Sequence, residues 1–180
     1  MKDVSTLSHR ELAAFVCAHL QARGIDTVLT GGACVTIYTR NRYKSLDLDF
    51  VNVAGAPGKL IDQALAEIGF LPEGRIYVSK KAGYSIDILS PPLSIGDEKI
   101  SRIHTINVNR MELRLLTPTD SVRDRLAAYY FWNDLQALEQ ALMVARDNDI
   151  DLDLVKKWSR KEGELKKIAI FLKKLTGQSR

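Results

Sequence analysis

Two aspartates separated by one apolar residue, Asp47-Leu48-Asp49, are the strongest chemical feature of the sequence. The segment around them, residues 46–53, begins by alternating apolar and acidic residues, which predicts a β-strand. Residues i and i+2 of a strand point to the same face, so both carboxylates leave one face. Two carboxylates this close repel each other, and a divalent cation relieves the repulsion. Oxygen-only ligands favour Mg²⁺ or Mn²⁺ over zinc.

Two consecutive glycines, Gly31 and Gly32, come before the acids, and fourteen residues separate Gly32 from Asp47. They follow a β-branched run, Thr27–Thr30, which predicts a strand, and a helix ending at Tyr38 is expected to start at the glycines. Glycine lets the backbone turn sharply and approach a ligand without a Cβ clash. A helix N-terminus directs unpaired N–H groups at an anion, so we expect a phosphate group here. An ordinary strand-to-helix turn is the alternative.

A third acid, Asp87, lies on a later predicted strand, residues 84–89. Three carboxylates around a pair of metal ions can stabilise both the attacking and the leaving oxygen of a phosphoryl transfer. We therefore expect Asp47, Asp49 and Asp87 to converge on one face of one sheet, next to Gly31 and Gly32, as metal ligands and catalytic residues. The alternative is that these are solvent-facing acids on amphipathic strands.

This combination resembles the nucleotidyltransferase superfamily of the polymerase-β type. The shared pattern is an apolar strand ending in Gly-Gly, a short helix, a strand with acid-apolar-acid, and a later strand with a third acid. Here it occupies residues 29–32, residues 47–50 and Asp87. The resemblance implies an α+β fold with a mixed sheet and a C-terminal helical subdomain, and a nucleoside triphosphate as substrate.

The later part of the chain is similar to the helical tail of small prokaryotic members, which include the AbiEii-type toxins of abortive-infection systems. The similar segments are residues 118–120, 124–128, 132–134 and 138–141. A toxin–antitoxin role is one implication. The resemblance also implies that Arg125 faces the triphosphate, and a structural salt bridge is the alternative for this residue.

Basic and hydroxyl side chains come directly before the paired acids, and two of them, Arg42 and Ser45, are candidates for contacts with the nucleotide phosphates. A positively charged loop attracts phosphate. A loop rich in lysine and arginine is also simply well solvated, so this alternative stays open.

The elements that must position these residues divide into two predicted parts. Residues 1–117 are expected to form the nucleotidyltransferase-like core, and residues 118–180 a helical subdomain packed on it. Ser8 and Glu11 predict a capping box at the first helix. Two antiparallel hairpins are predicted at residues 75–89 and 103–116, the second turning at Asn109-Arg110. The predicted helices of the second part are residues 120–132, 134–147, 152–160 and 162–175.

The net charge of +4 comes from the last thirty residues, which carry +5, whereas residues 1–150 carry −1. We expect a C-terminal helix with an apolar stripe facing the subdomain and its lysines facing water. The stripe is Leu165, Ile168, Ala169, Leu172 and Leu175, and the lysines are Lys166, Lys167, Lys173 and Lys174. Together with Lys156, Lys157, Arg160 and Lys161 they make a basic surface that suits the phosphate backbone of an RNA acceptor, or it only improves solubility.

The chain has no run of about 20 apolar residues that could span a membrane and no apolar signal region at its N-terminus. Its two cysteines indicate buried thiols rather than a disulfide. A cytoplasmic protein is expected, with unknown oligomeric state. The predicted function is Mg²⁺-dependent (or Mn²⁺-dependent) transfer of a nucleoside monophosphate from a triphosphate to a hydroxyl of RNA, protein or a small molecule. The alternative is an inactive module of the same fold that binds nucleotide, nucleic acid or a partner protein.

Overall fold

The structure is a computed structural model that describes residues 4–177. These residues form nine strands and seven α-helices, after a short 3-10 helix at Val4–Thr6. The strands are β1 (Thr27–Thr30), β2 (Asp47–Asn52), β3 (Leu71–Glu73), β4 (Ile76–Val78), β5 (Ser85–Leu89), β6 (Ser94–Ile95), β7 (Glu98–Lys99), β8 (Ile103–Val108) and β9 (Met111–Leu116). The helices are α1 (His9–Gln21), α2 (Gly31–Tyr38), α3 (Gly58–Glu67), α4 (Pro118–Trp132), α5 (Leu135–Asp147), α6 (Leu152–Lys161) and α7 (Leu165–Leu175).

Seven of the strands form one mixed sheet in the order β3-β4-β5-β2-β1-β9-β8. The central strand pairs β2–β5 and β1–β9 are parallel, whereas β1–β2 and the outer pairs are antiparallel. The remaining strands, β6 and β7, form a separate small hairpin. The predicted α+β class with a mixed sheet is confirmed.

Local sequence signals account for several element boundaries. The Ser8 side chain accepts from the backbone N–H of Glu11, and the Glu11 carboxylate accepts from the backbone of Ser8, which completes the predicted capping box of α1. The Thr117 side chain caps α4 by accepting from the backbone N–H of Asp120, and Pro118 occupies the first turn of this helix. Asn109 and Arg110 both have positive φ, as a tight hairpin turn between β8 and β9 requires.

The paired acids lie on the face of β2 opposite Leu48 and Phe50. Leu48 and Phe50 are fully buried, while Asp47 is exposed and Asp49 is half-buried. On β5, Ile86 is likewise fully buried beside Leu48. Strand alternation therefore places the acids on the face opposite these three side chains. Apolar packing continues on the acid-bearing face, where Val51 is buried.

The helical part follows directly, since β9 ends at Leu116 and α4 begins at Pro118. Helices α4 and α5 pack against each other and against α2, the helix that starts at the two glycines. Helices α6 and α7 complete the layer by contacting α4 and α5, respectively. The division into separate domains at residues 117 and 118 stays a prediction, and its outermost residues, 1–3 and 178–180, lie outside the described part.

The C-terminal helix α7 follows its predicted orientation only in part. Ile168, Leu172 and Leu175 pack against the core, as predicted. The buried side chains of α7 are Ile168 and Phe171, whereas Leu165 is 60% exposed and Ala169 is exposed. Lys167 does not face water, because its ammonium group donates to the backbone carbonyl of Tyr129 at 3.0 Å. The aromatic Phe171 displaces the predicted stripe because it buries more apolar area than Leu165 or Ala169 would.

Both cysteines are free and buried, as predicted. Among the described residues, no helix is long and apolar enough to cross a membrane.

Candidate active site

The three predicted acids lie on one face of the sheet. Asp49 on β2 and Asp87 on β5 are direct partners in a parallel ladder, and Asp47 is the partner of Ser85. Directly paired residues of neighbouring strands point to the same face, and Asp47 shares the face of Asp49 because it is two residues away. Strand register therefore aligns all three carboxylates on the face opposite Leu48, Phe50 and Ile86.

Gly31 brings the backbone against the second acid of the pair. It has a φ of +65°, and a Cβ at this position would overlap the Oδ2 atom of Asp49 and lie 3.2 Å from its Cγ. The neighbouring Thr30 hydroxyl donates to the backbone carbonyl of Asp49 at 3.3 Å. The first turn of α2 therefore lies directly beside Asp49, which only glycine permits.

Gly32 and Ser45 are also neighbours. A Cβ on Gly32 would lie 3.1 Å from the Ser45 Oγ and 3.5 Å from a ring carbon of Tyr43. Ser45 is held by its N–H, which donates to Thr36 Oγ1 at 2.9 Å, and its hydroxyl donates to the carbonyl of Asp47 at 3.1 Å. The loop before β2 therefore closes over the glycine turn.

Electrostatics distinguish Asp49 within this group. Burial is the main cause that raises the pKa of Asp49 to about 6, and the carboxylates of Asp47, Asp87 and Asp124 contribute to this rise. The guanidinium group of Arg125 opposes this rise. A buried carboxylate surrounded by other acids is stabilised by a bound cation, so the charge of this site fits a cation.

Arg125 lies on α4, and its positive charge lowers the pKa of the Asp49 carboxyl. Its Nε and Nη2 atoms donate to Oδ2 of Asp124 at 3.0 and 2.7 Å, and Nη1 donates to Gln140 Oε1 at 3.4 Å. The salt bridge that was the alternative for Arg125 is therefore present, and its contact with a triphosphate stays a prediction.

Arg42 does not join the group. Its guanidinium group forms an ion pair with Asp147 at the end of α5, and its side chain is largely exposed. The pair connects the loop before β2 to the helical part of the chain. The structure thus gives Arg42 a partner other than phosphate.

The side chains of the three acids are aligned but not assembled into a ligand set. Among residues 4–177, no three histidine, cysteine, aspartate or glutamate side chains are placed to hold one metal ion. The Asp47 Oδ1 atom instead accepts from the Ser85 hydroxyl, and mutual repulsion keeps bare carboxylates apart. The expected convergence is therefore correct for the face but not for the side chains. The donor chemistry, carboxylate oxygen throughout, still fits a hard cation such as Mg²⁺.

Sequence reasoning missed several residues of this site. Tyr43 packs beside Gly32, Thr30 bonds the backbone of Asp49, and Gln140 and Asp124 hold Arg125. Tyr43 lies in a loop without periodicity, and Gln140 is distant in sequence, so no local pattern marks either residue. Asp124 stands next to Arg125 and could have been named as its partner.

A cavity of about 650 Å³ lies remote from the acids. It lies at the far edge of the sheet, between the end of α3 and strands β3 and β4, and includes Ile68, Leu71 and Val78. None of the acids or glycines of the site lines it. We assign the active site to the acids, because the three carboxylates share one sheet face and the Gly31 turn lies beside Asp49.

Comparison with solved structures shows what the fold resembles. An antigenic nucleotidyltransferase-like protein from Paracoccidioides brasiliensis superimposes with a TM-score of 0.56 at 14% identity, covering 79% of this chain and 75% of that one. The fold is that of a nucleotidyltransferase-like protein.

Two structures of the antibiotic-resistance factor ANT(2″)-Ia also match. One is a solution structure (TM-score 0.48, 11% identity, covering 82% of this chain and 88% of that one). The other is a complex with adenylyl-2″-tobramycin (TM-score 0.47, 12% identity, covering 88% and 94%). No protein-family model and no curated protein matches the sequence.

Proposed function

We propose that this protein is a nucleotidyltransferase that moves a nucleoside monophosphate from a nucleoside triphosphate to an acceptor hydroxyl. The observation that carries the proposal is the placement of Asp49 between the Gly31 turn and Asp87 on one sheet face. This arrangement combines an anion-binding helix N-terminus with clustered carboxylates, and it occurs in a nucleotidyltransferase-like fold.

The residues of the site have separate roles in the proposed reaction. The backbone N–H groups at Gly31 and Gly32 bind triphosphate oxygens, and Ser45 and Arg125 add a hydroxyl and a positive charge. Asp47, Asp49 and Asp87 would hold Mg²⁺ or Mn²⁺, which supplies charge neutralisation at the phosphates. Holding both reactants in line is the main catalytic task of the protein.

The bond changes are those of a single displacement. The acceptor oxygen forms a bond to the α-phosphorus, and the bond between that phosphorus and the bridging oxygen of the β-phosphate breaks. The electron pair of the broken bond leaves with pyrophosphate. The acceptor proton goes to a carboxylate, and Asp87 is the candidate because Asp47 is hydrogen-bonded to Ser85.

An inactive binding module of the same fold is the competing function. It would keep the nucleotide pocket without requiring three acids. The presence of all three acids on one face favours catalysis, because burial and the neighbouring carboxylates raise the pKa of Asp49. Such a cluster is unfavourable unless a cation is bound.

The biological setting is a narrower part of the proposal. A toxin of the AbiEii type that acts on RNA is a special case of the same chemistry, and the exposed Lys166 and Lys173 on α7 are the feature in its favour. A cytoplasmic location fits both the nucleoside triphosphate substrate and the two free cysteines.

Labelled nucleotides test the proposal. The protein is incubated with Mg²⁺ and the four triphosphates, labelled at either the α- or the γ-phosphate, together with RNA, protein and small-molecule fractions of a cell extract. We expect α-label in one acceptor fraction and γ-label only in pyrophosphate. Transfer of the γ-label, or equal α-transfer by an Asp47→Asn, Asp49→Asn protein, would contradict the proposal.

A further inference from the structure

A second, smaller cavity of about 170 Å³ adjoins the acids. Val51 and Leu89, which line it, follow Asp49 and Asp87 by two residues on their strands and are partners in the same ladder. Residues two apart on a strand share a face. The cavity therefore opens on the acid-bearing face of the sheet, directly beyond the carboxylates.

Two further lining residues contact the site itself. Thr30 donates to the backbone of Asp49, and Asp124 binds Arg125. The small hairpin of β6 and β7 supplies the outer wall through Ser94 and Ile95. A molecule in this cavity would be held between the sheet, α4 and the hairpin, next to the acids.

The chemistry of the lining limits what can occupy it. Polar groups are the hydroxyls of Thr30, Ser90 and Ser94 and the carboxylate of Asp124, and the other lining side chains are aliphatic. None of the described residues in this wall is a lysine, arginine, histidine or aromatic residue. Both hydrogen bonds that Arg125 donates to Asp124 go to its Oδ2 atom, so the Oδ1 atom of Asp124 can accept from a ligand.

We propose that this cavity binds the acceptor, and that the acceptor is a compact polyol or amino-polyol without negative charge. A phosphate-bearing acceptor such as RNA would find no cation among the lining residues, because Arg125 pairs with Asp124 and does not itself line the cavity. A nucleobase would find no ring to stack on. The volume is below the 300 Å³ or so at which pockets for drug-sized ligands begin, so it suits a single ring. This inference rests on the proposed nucleotidyl transfer.

Ligand binding to the nucleotide-loaded protein tests the inference. Glycerol, glucose, glucosamine, glucose 6-phosphate and a short RNA are compared by saturation-transfer NMR, in the presence of Mg²⁺ and a non-hydrolysable triphosphate. We expect the neutral and cationic compounds to bind on the order of tenfold more tightly than glucose 6-phosphate. Equal or tighter binding of glucose 6-phosphate or RNA, or no binding of any polyol, would overturn the inference.

A charge change at the outer wall gives a second test. Ser94 is exposed, so Ser94→Lys should fold normally, weaken glucosamine binding and strengthen glucose 6-phosphate binding. Ser94→Thr is the matched control and should keep the order of the wild type. An unchanged order in Ser94→Lys would overturn the assignment of the cavity.

The thermal shift of each protein with Mn²⁺ and triphosphate is recorded in parallel. The absence of a thermal shift in the wild type would instead contradict the proposed nucleotidyl transfer. The two failures are therefore distinguishable.

Discussion

At Gly31, both the backbone and the neighbouring carboxylate require the absence of a side chain. The φ of +65° disfavours any L-residue, and a Cβ would overlap Asp49. Gly24 is a matched control, because it has a similar φ of +74° with nothing within 4 Å of its Cβ position.

We expect Gly24→Ala to cost about 1 kcal/mol of unfolding free energy, and Gly31→Ala roughly 1 to 3 kcal/mol more. Gly31→Ala should also lose triphosphate binding, while Gly24→Ala keeps it. Urea unfolding and calorimetric titration provide the two measurements. Equal effects of both substitutions would show that Asp49 does not crowd Gly31.

The raised pKa of Asp49 gives the metal-free protein a defined pH dependence. Its pKa in the folded state is about 6, above the ordinary value of an aspartate, so folding favours the protonated form. The folded state then binds more protons than the unfolded state between about pH 4 and 6. Stability should fall as the pH rises through this window, with Asp47, Asp87 and Asp124 raising the penalty and Arg125 lowering it.

Asp49→Asn should remove this pH dependence. With a chelator present, we expect the variant to be roughly 1 to 3 kcal/mol more stable than the wild type at pH 8, and the difference to vanish below about pH 4. Urea unfolding at a series of pH values measures it. Parallel stability curves for the two proteins would contradict the electrostatic description of the site.

At the scale of elements, the side chain of Lys167 connects α7 to the C-terminal end of α4. Its ammonium group donates to the carbonyls of Tyr129 and Tyr130 in the last turn of α4 and lies 5.2 Å from the Tyr129 ring centre. A cation at a helix C-terminus satisfies otherwise unpaired carbonyls and interacts favourably with the helix dipole.

We expect Lys167→Ala to destabilise the protein by about 1 to 2 kcal/mol. Lys166→Ala is the control, because this neighbouring lysine is exposed on the same helix and should change stability by less than about 0.5 kcal/mol. Chemical unfolding of the two variants decides the point. Similar stabilities would show that the Lys167 contacts contribute nothing net.

Elements with strong local patterns were predictable from the sequence. Strand β1 and the hairpin of β8 and β9 have the predicted bounds, since β-branched runs and an Asn-Arg turn are local signals. Strand β3 and the β6–β7 hairpin were missed, because strands of two or three residues exist only through their pairing partners. The orientation of α7 was partly wrong because Lys167 finds its partners in α4, thirty-seven and thirty-eight residues away.

The sheet face that carries the acids was predictable from the sequence, but the residues that surround the acids were not. Strand parity together with the later acid placed Asp49 and Asp87 on one face, which the ladder confirms. Neither the Tyr43 contact nor the Arg42–Asp147 ion pair has a local signal. Both contacts depend on packing between segments that are distant in the sequence. Hydrophobic periodicity of 2 or 3.6 residues carries no information on such packing.

At the scale of the whole molecule, the basic surface is smaller than its lysine content suggests. The ammonium group of Lys167 is hydrogen-bonded to the backbone of α4, and Lys174 forms an ion pair with Glu139 at 2.6 Å. Lys166 and Lys173 remain exposed on α7. We therefore expect only weak RNA binding without sequence preference, with affinity falling steeply as salt rises.

Charge reversal of the two exposed lysines tests this expectation. Lys166→Glu with Lys173→Glu should weaken binding equally for all RNA sequences and reduce the salt slope by about 1.4 for single strands. Fluorescence anisotropy at several salt concentrations measures both. Tight, sequence-selective binding that survives physiological salt would favour RNA as the acceptor and contradict the polyol assignment.

The central claim, a cation-dependent nucleotide site at the acids, is tested most directly by thermal unfolding with Mn²⁺ and a nucleoside triphosphate. Ligand at about 100 times its Kd stabilises the folded state by about 2.7 kcal/mol, which corresponds to a Tm increase of roughly 5 to 10 °C for a chain of this size. Asp47→Asn with Asp49→Asn should abolish the increase. Asp97→Asn with Asp149→Asn, which removes the same charge from exposed positions outside the site, should retain it. An equal Tm increase in the Asp47, Asp49 double variant, or none in the wild type, would contradict the account.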